Sequence, residues 1–208
     1  MTSRYRSVLL IVQSMAVLLS SHRAVAAEIE NLVPNPDFDE GGVAGWSLFT
    51  GGNSAGEMTA EKDGVVDDYA YVEVTAVGPD TWNPEVHSPS FDVDIGEVYT
   101  MAFWAKTEPG KTRSTLFKFE QLDTWVGPWE IFTLTDEWTE YHFSPTMSMA
   151  SPPAVVVHIG TQLLKEDMWL DHFRVHLGEF VEDGLSEAQP VDPAGKLAAT
   201  WATLKAAR

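Results

Sequence analysis

Lys118 to Leu134 reads KFEQLDTWVGPWEIFTL. Trp125 and Trp129 flank a Val-Gly-Pro turn, with Glu120, Gln121 and Asp123 just upstream. Large aromatic side chains are usually buried. Two of them beside a tight turn, among polar groups, suit non-covalent recognition of a ligand with apolar faces and a polar rim. The stretch GPDTWNPEVH makes a similar offer, with Trp82 beside Asn83, Glu85 and His87. Covalent chemistry is poorly provided for. The chain has no cysteine, which excludes thiolate nucleophiles and thiolate metal sites. It has no Gly-x-Ser-x-Gly elbow, no phosphate-cradling glycine loop and no His-Glu-x-x-His. His172 and His176 share a strand face, but no third ligand accompanies them and Arg174 stands between them, so they read as surface histidines.

The elements that must position these residues are strands. YAYVEVTAV, VYTMAFWAK, TLFKFEQL, WTEYHFSP, AVVVHIGT and MWLDHFRVHL are rich in β-branched and aromatic residues and are separated by Gly, Pro, Asn and Asp. From about Glu28 to Phe180 no long helix and no internal repeat is evident. The pattern predicts an all-β fold: a β-sandwich or jelly roll of two antiparallel sheets. Period-two alternation then sorts the faces. If Tyr99, Met101 and Phe103 face the core, Trp104 points out. If Phe117 and Phe119 are core, Lys118 and Glu120 point out. If Val155, Val157 and Ile159 are core, His158 points out. Glu120 and Gln121 cannot both face outward in a regular strand, so either a bulge intervenes or Gln121 is a buried polar residue at the sheet end.

The ends have a different character. Arg4 and Arg6 precede a mostly apolar run, Val8 to Leu19, and then Ala24-Val25-Ala26-Ala27. Residues 1–27 read as a secretory signal peptide, too short in its apolar part for a comfortable membrane span. The expected location is therefore secreted, extracellular or periplasmic, with no membrane attachment after cleavage. Residues 28–180 form the predicted domain. Residues 181–208 read as an acidic, proline-containing linker and a short helical tail, with Leu197, Trp201 and Leu204 on one face. That tail offers either a docking site for a protein partner or a face that packs on its own domain. The formal charge is −18. Losing Arg4, Arg6 and Arg23 with the leader makes it about −21. Such a chain repels nucleic acid and anionic membranes.

NLVPNPDFDEGGVAGWSLF, Asn31 to Phe49, resembles the start of a carbohydrate-binding module of the family 4/9 type, a galactose-binding-like jelly roll. Asn31-Leu32, Asn35, Phe38, Asp39, Gly41 and Gly45-Trp46 match; Pro36 and Asp39 stand where a Gly and a Glu are usual. SPSFDVDIGEVYTMAFWAKTEPG is similar to the family's central hairpin through Gly96, Tyr99, Phe103 and Ala105-Lys106. Leu134, Thr135, Trp138 and Tyr141 resemble a strand entry, and Leu170-Asp171 the final strand. The resemblance spans roughly residues 30 to 180.

The resemblance implies a noncatalytic domain that binds a glycan, either polysaccharide or oligosaccharide, through an aromatic-lined face. Sugars present apolar C–H faces and hydroxyl rims, so aromatic platforms and fixed polar groups suit them. The expected contacts are Trp82, Glu120, Gln121, Trp125, Trp129 and His158, with Trp104 and Gln162 behind them. Trp46 and Trp138 are assigned to structure. The resemblance also implies one structural calcium ion, with Asp39 and Asp171 as acidic ligands and Asp63 or Glu61 as the third. Two alternatives stand beside this reading: a jelly roll that has lost the sugar and serves as an interaction or structural domain, and a small glycoside hydrolase or lyase. The second needs paired carboxylates across a cleft. Glu73, Glu120, Glu130 and Glu140 are available, but no Glu-x-Asp-x-x-Glu array appears.

Overall fold

A computed structural model describes residues 29–149, 152–182 and 185. The predicted signal segment lies outside them, as does all of the predicted tail helix. Among the described residues ten strands form two five-stranded sheets, and every pairing is antiparallel. One sheet runs β1 (Ser47–Phe49), β4 (Glu85–His87), β9 (Ala154–His158), β6 (Arg113–Glu120) and β7 (Trp129–Leu134). The other runs β2 (Ala55–Lys62), β3 (Asp68–Ala76), β10 (Met168–Leu177), β5 (Tyr99–Thr107) and β8 (Thr139–Phe143). The fold is the expected β-sandwich. A 3₁₀ turn, Ile159–Gln162, follows β9.

The inner faces follow the alternation in the sequence. Tyr99, Met101 and Phe103 of β5 and Phe117 and Phe119 of β6 are buried between the sheets, with Val155, Val157 and Ile159 beside them. Phe103 and Phe117 stack across the layers with centroids 3.9 Å apart. The N-terminal segment closes one end by crossing β10. The Leu32 amide donates to the Val175 carbonyl at 2.7 Å, Asn31 Nδ2 to the Phe173 carbonyl at 2.7 Å, and the Phe173 amide to the Pro36 carbonyl at 3.1 Å. Phe38, Trp46 and Phe173 form an aromatic cluster beneath it. These contacts explain why Asn31, Phe38 and Trp46 are structural residues.

Arg113, at the start of β6, is fully buried. Its guanidinium donates to the carbonyls of Ile159 and Glu166 and so ties the 3₁₀ turn to the segment before β10. Burial pushes its pKa down to about 10, against the opposing pull of Glu166, Asp167 and Glu108.

Candidate functional site

The outer face of the β1-β4-β9-β6-β7 sheet carries charge and aromatic surface together. Directly paired residues of neighbouring strands share a face. One row across the sheet is Phe49, Glu85, His158, Leu116 and Ile131; the next is Ser47, His87, Val156, Lys118 and Trp129. Glu120, opposite Ala154, continues the β6 column. These residues point away from the core because their neighbours in each strand, such as Val86, Phe117, Phe119 and Val157, are claimed by it; Glu85, Lys118, Glu120 and Val156 are nonetheless covered at the bottom of that face.

Two loops raise walls on this face. The β6–β7 turn is closed by the Gln121 amide on the Val126 carbonyl at 2.9 Å and the Trp125 amide on the Gln121 carbonyl at 2.8 Å. Trp125 itself takes a left-handed backbone conformation, φ 56°. Gly127 lies so close to β6 that a Cβ there would sit 1.7 Å from the Phe119 carbonyl oxygen. The opposite wall carries Trp82. Its neighbour Asn83 packs against Gly160, where a Cβ would fall 2.2 Å from the Asn83 carbonyl oxygen. Between the walls lies a cleft of about 540 Å³ lined by Phe49, Trp82, Glu85, Lys118, Glu120, Trp125 and His158. That size and lining suit a small-molecule or oligomer site. The tryptophan and phenylalanine side chains that are exposed among the described residues are Phe49 (53%), Trp82 (46%), Trp125 (71%) and Trp129 (57%). All four lie on this face or on its walls.

The cleft floor is a chain of ionisable groups. Lys118 Nζ donates to Glu120 Oε2 at 2.6 Å and to the Trp125 carbonyl at 2.6 Å. His158 Nε2 lies 3.6 Å from Glu120 Oε2 and 3.8 Å from Glu85 Oε1. Those distances are electrostatic contacts but too long for hydrogen bonds, and the buried Nε2 has no hydrogen-bond partner. On the far side Glu85 Oε2 meets His87 Nε2 at 2.8 Å. Burial alone would raise the Glu120 carboxyl, but His158 and Lys118 together outweigh it and hold it below the usual carboxylate range. Glu120 therefore stays an ionised acceptor. Aromatic walls over a floor of fixed acceptors and donors can stack on an apolar face and hydrogen-bond a hydroxyl rim.

Of the expected contact residues, Trp82, Glu120, Trp125 and His158 come together in this cleft. Trp129 stands on the same face beside Lys118, outside the cleft lining. Gln121 lies at the end of the sheet, its backbone bridging Val126, and its half-buried side chain is not among the lining groups. The regular strand ends at Glu120, so no bulge turns both residues outward. Gln162 is occupied elsewhere. Its Oε1 accepts the Ser114 amide at 2.7 Å, extending the β6 ladder beyond the end of β9.

Trp104 is a correction. The alternation does place it outside the core, but on the other sheet, and only 3% of it is exposed. It sits at the base of a depression with Trp138 and Phe180, where Phe180 stacks on His142 and Arg174 bonds the Val181 carbonyl. Phe49 and Lys118 belong to the cleft without having been expected as contacts. Lys118 had a usable signal, since it shares the alternation that exposes Glu120. Phe49 had none, because a three-residue strand shows no period.

The expected calcium ligands do not converge. Asp39 and Asp63 line an acidic depression with Lys62, Asp67 and Asp68. Asp171 is fully buried, and its carboxylate is turned onto backbone amides: Val65 at 2.6 Å and Val66 at 3.1 Å on Oδ2, His172 at 2.7 Å on Oδ1. Among the described residues no three His, Asp or Glu side chains are placed to hold a metal ion together. Asp39 and Asp63 thus share one depression, while Asp171 is committed to backbone amides.

A two-sheet antiparallel sandwich with an open aromatic cleft across one face is the frame of a ligand-binding module. A family model described as a carbohydrate binding domain matches residues 30–167. The chain belongs to that family, the carbohydrate-binding modules of the family 4/9 type, and it is a carbohydrate-binding domain rather than an enzyme. Solved structures agree on the fold. A structure titled for CBM4 structure and function is 21% identical, with a TM-score of 0.60, over 70% of this chain and 99% of that one. The CBM22-1 xylan-binding domain of Paenibacillus barcinonensis Xyn10C is 19% identical, with a TM-score of 0.51, over 70% of this chain and 93% of that one. The arabinose-bound α-L-arabinofuranosidase MgGH51 is 12% identical, with a TM-score of 0.58, over 72% of this chain and 27% of that one. No curated protein sequence matches the chain significantly.

Proposed function

We propose that this chain is a secreted module that holds a neutral polysaccharide in the cleft of the β1-β4-β9-β6-β7 sheet. The observation that carries the reading is the gathering of Phe49, Trp82, Trp125 and Trp129 on one face. Exposing so much aromatic surface is unfavourable unless a ligand covers it. Phe49, Trp82 and Trp125 stack on pyranose faces, and Glu85, Glu120 and His158 accept from or donate to hydroxyls. A neutral ligand follows from charge. Lys118 is already engaged by Glu120 and a carbonyl, the floor keeps two carboxylates, and the whole chain carries −18. A uronate chain would meet repulsion. Secretion is proposed from the leader-like N-terminus; among the described residues no helix is long and apolar enough to cross a membrane.

Affinity electrophoresis tests the reading, with gels containing xylan, mixed-linkage β-glucan or galactan on one side and polygalacturonate or alginate on the other. Retardation by at least one neutral polymer, reduced in a Trp82→Ala variant, is expected. Folded protein that no neutral polymer retards, or retardation by the uronates alone, would overturn it.

A further inference from the structure

The most exposed aromatic of the cleft has the least packing to hold it. Trp125 is 71% exposed, and its orientation must come from its backbone. That backbone is in the left-handed region, φ 56°, which a bulky side chain does not occupy without support. The turn's own hydrogen bonds fix the Trp125 amide on Gln121. The Trp125 carbonyl is bound from below by Lys118 Nζ at 2.6 Å. Lys118 is only 9% exposed, and a second ammonium proton is held by Glu120 at 2.6 Å. Lys118 and Glu120 face outward on one rigid strand two residues apart, and β7 and β9 flank that strand on both sides. The ammonium is therefore a fixed post between the sheet and the turn.

We infer that Lys118 is a positioning residue for glycan recognition: through the Trp125 carbonyl it holds the left-handed turn and presents the indole to the cleft, without itself being a sugar contact. This inference rests on the proposed use of the cleft. A charge-assisted hydrogen bond to a fixed post preorganises the platform, so its loss is felt in affinity. His158, 3.6 Å from Glu120, adds to the field that keeps Glu120 charged and so keeps the post in place.

The test is a double-mutant cycle on the full chain, with binding read on whichever neutral polysaccharide the wild type takes, alongside hydrogen exchange of residues 121–128 in free protein. Lys118→Met should weaken binding about tenfold, the scale of one charge-assisted hydrogen bond. It should leave the affinity of a Trp125→Ala variant unchanged and speed exchange in the turn. Lys118→Arg, which keeps a donor, should recover most of the loss. Equal weakening in both backgrounds makes Lys118 a direct contact and overturns the inference, as does no weakening in either. Lys118→Met leaves Glu120 buried without its cation, so Lys118→Met/Glu120→Gln is measured by exchange beside it; an unchanged turn in that folded double variant also overturns the inference. The exchange arm needs no ligand. If no polysaccharide binds the wild type, the functional proposal fails while Lys118's hold on the turn is still decided.

Discussion

Replacing Trp125 by alanine separates binding from folding more cleanly than any other change in the cleft. With 71% of the residue exposed, little of the indole supports the domain. A tryptophan offers roughly 250 Å², so about 70 Å² is buried in the free protein, and at about 25 cal/mol per Å² the stability cost is at most about 2 kcal/mol. A pyranose stacked on the open face would cover on the order of 80 Å² of it, worth about 2 kcal/mol, or about a 30-fold loss of affinity on truncation. Titration calorimetry against a soluble neutral polysaccharide, run with a thermal melt of the same samples, reads both quantities. The expected pattern is a large fall in affinity with a melting shift of only a few degrees. Unchanged affinity would refute the assignment of Trp125 as a platform. An affinity loss matched by partial unfolding would mean that the indole closes the end of the sandwich instead.

Other perturbations probe the frame. Arg113→Leu leaves the Ile159 and Glu166 carbonyls without their donor and should cost about 3–5 kcal/mol, seen as a fall in the denaturant midpoint at unchanged slope. Asp171 is held near pKa 7, chiefly by burial, although three backbone amides oppose the shift. Because its native pKa lies above the unfolded value, the native state binds the extra proton between about pH 4 and pH 7. Its contribution to stability is therefore lost as pH rises through that window, by about 4 kcal/mol in all. Urea titrations at successive pH values should show this slope in the wild type and a flatter one in Asp171→Asn. Because the Asp39, Asp63 and Asp171 carboxylates do not converge, a chelator should leave the melting temperature unchanged; a marked fall would mean that an ion binds the native state.

The sequence made some elements readable and hid others for physical reasons. MWLDHFRVHL coincides with β10, because that strand is central, long and apolar on its core side. AGEMTAEK of β2 went unseen: it is an edge strand with glutamates and a threonine facing solvent, and no residue in it is fully buried. Alternation correctly put Glu120 and His158 outward, and the sheet order then placed them one strand apart. The same alternation put Trp104 outside the core as well, but period two tells inside from outside and not which sheet a strand joins, and β5 belongs to the sheet away from the cleft. The structural duty of Gln162 was not legible, because the sequence does not reveal that β9 ends early and leaves the Ser114 amide in need of an acceptor. The resemblance to the family's final strand singled out Asp171, while its engagement with three backbone amides emerges only when the 63–67 turn folds against β10.

Whether glycan occupies the cleft between the Trp82 and Trp125 walls can be read from the indole N–H resonances of the tryptophans during titration with a neutral oligosaccharide. Trp82 and Trp125 should shift together, with Trp129 beside them, while Trp104 and Trp169 on the opposite sheet, and Trp138 packed against its outer side, stay still. Shifts confined to Trp104, Trp138 and Trp169, with Trp82 and Trp125 unmoved at saturation, would contradict it.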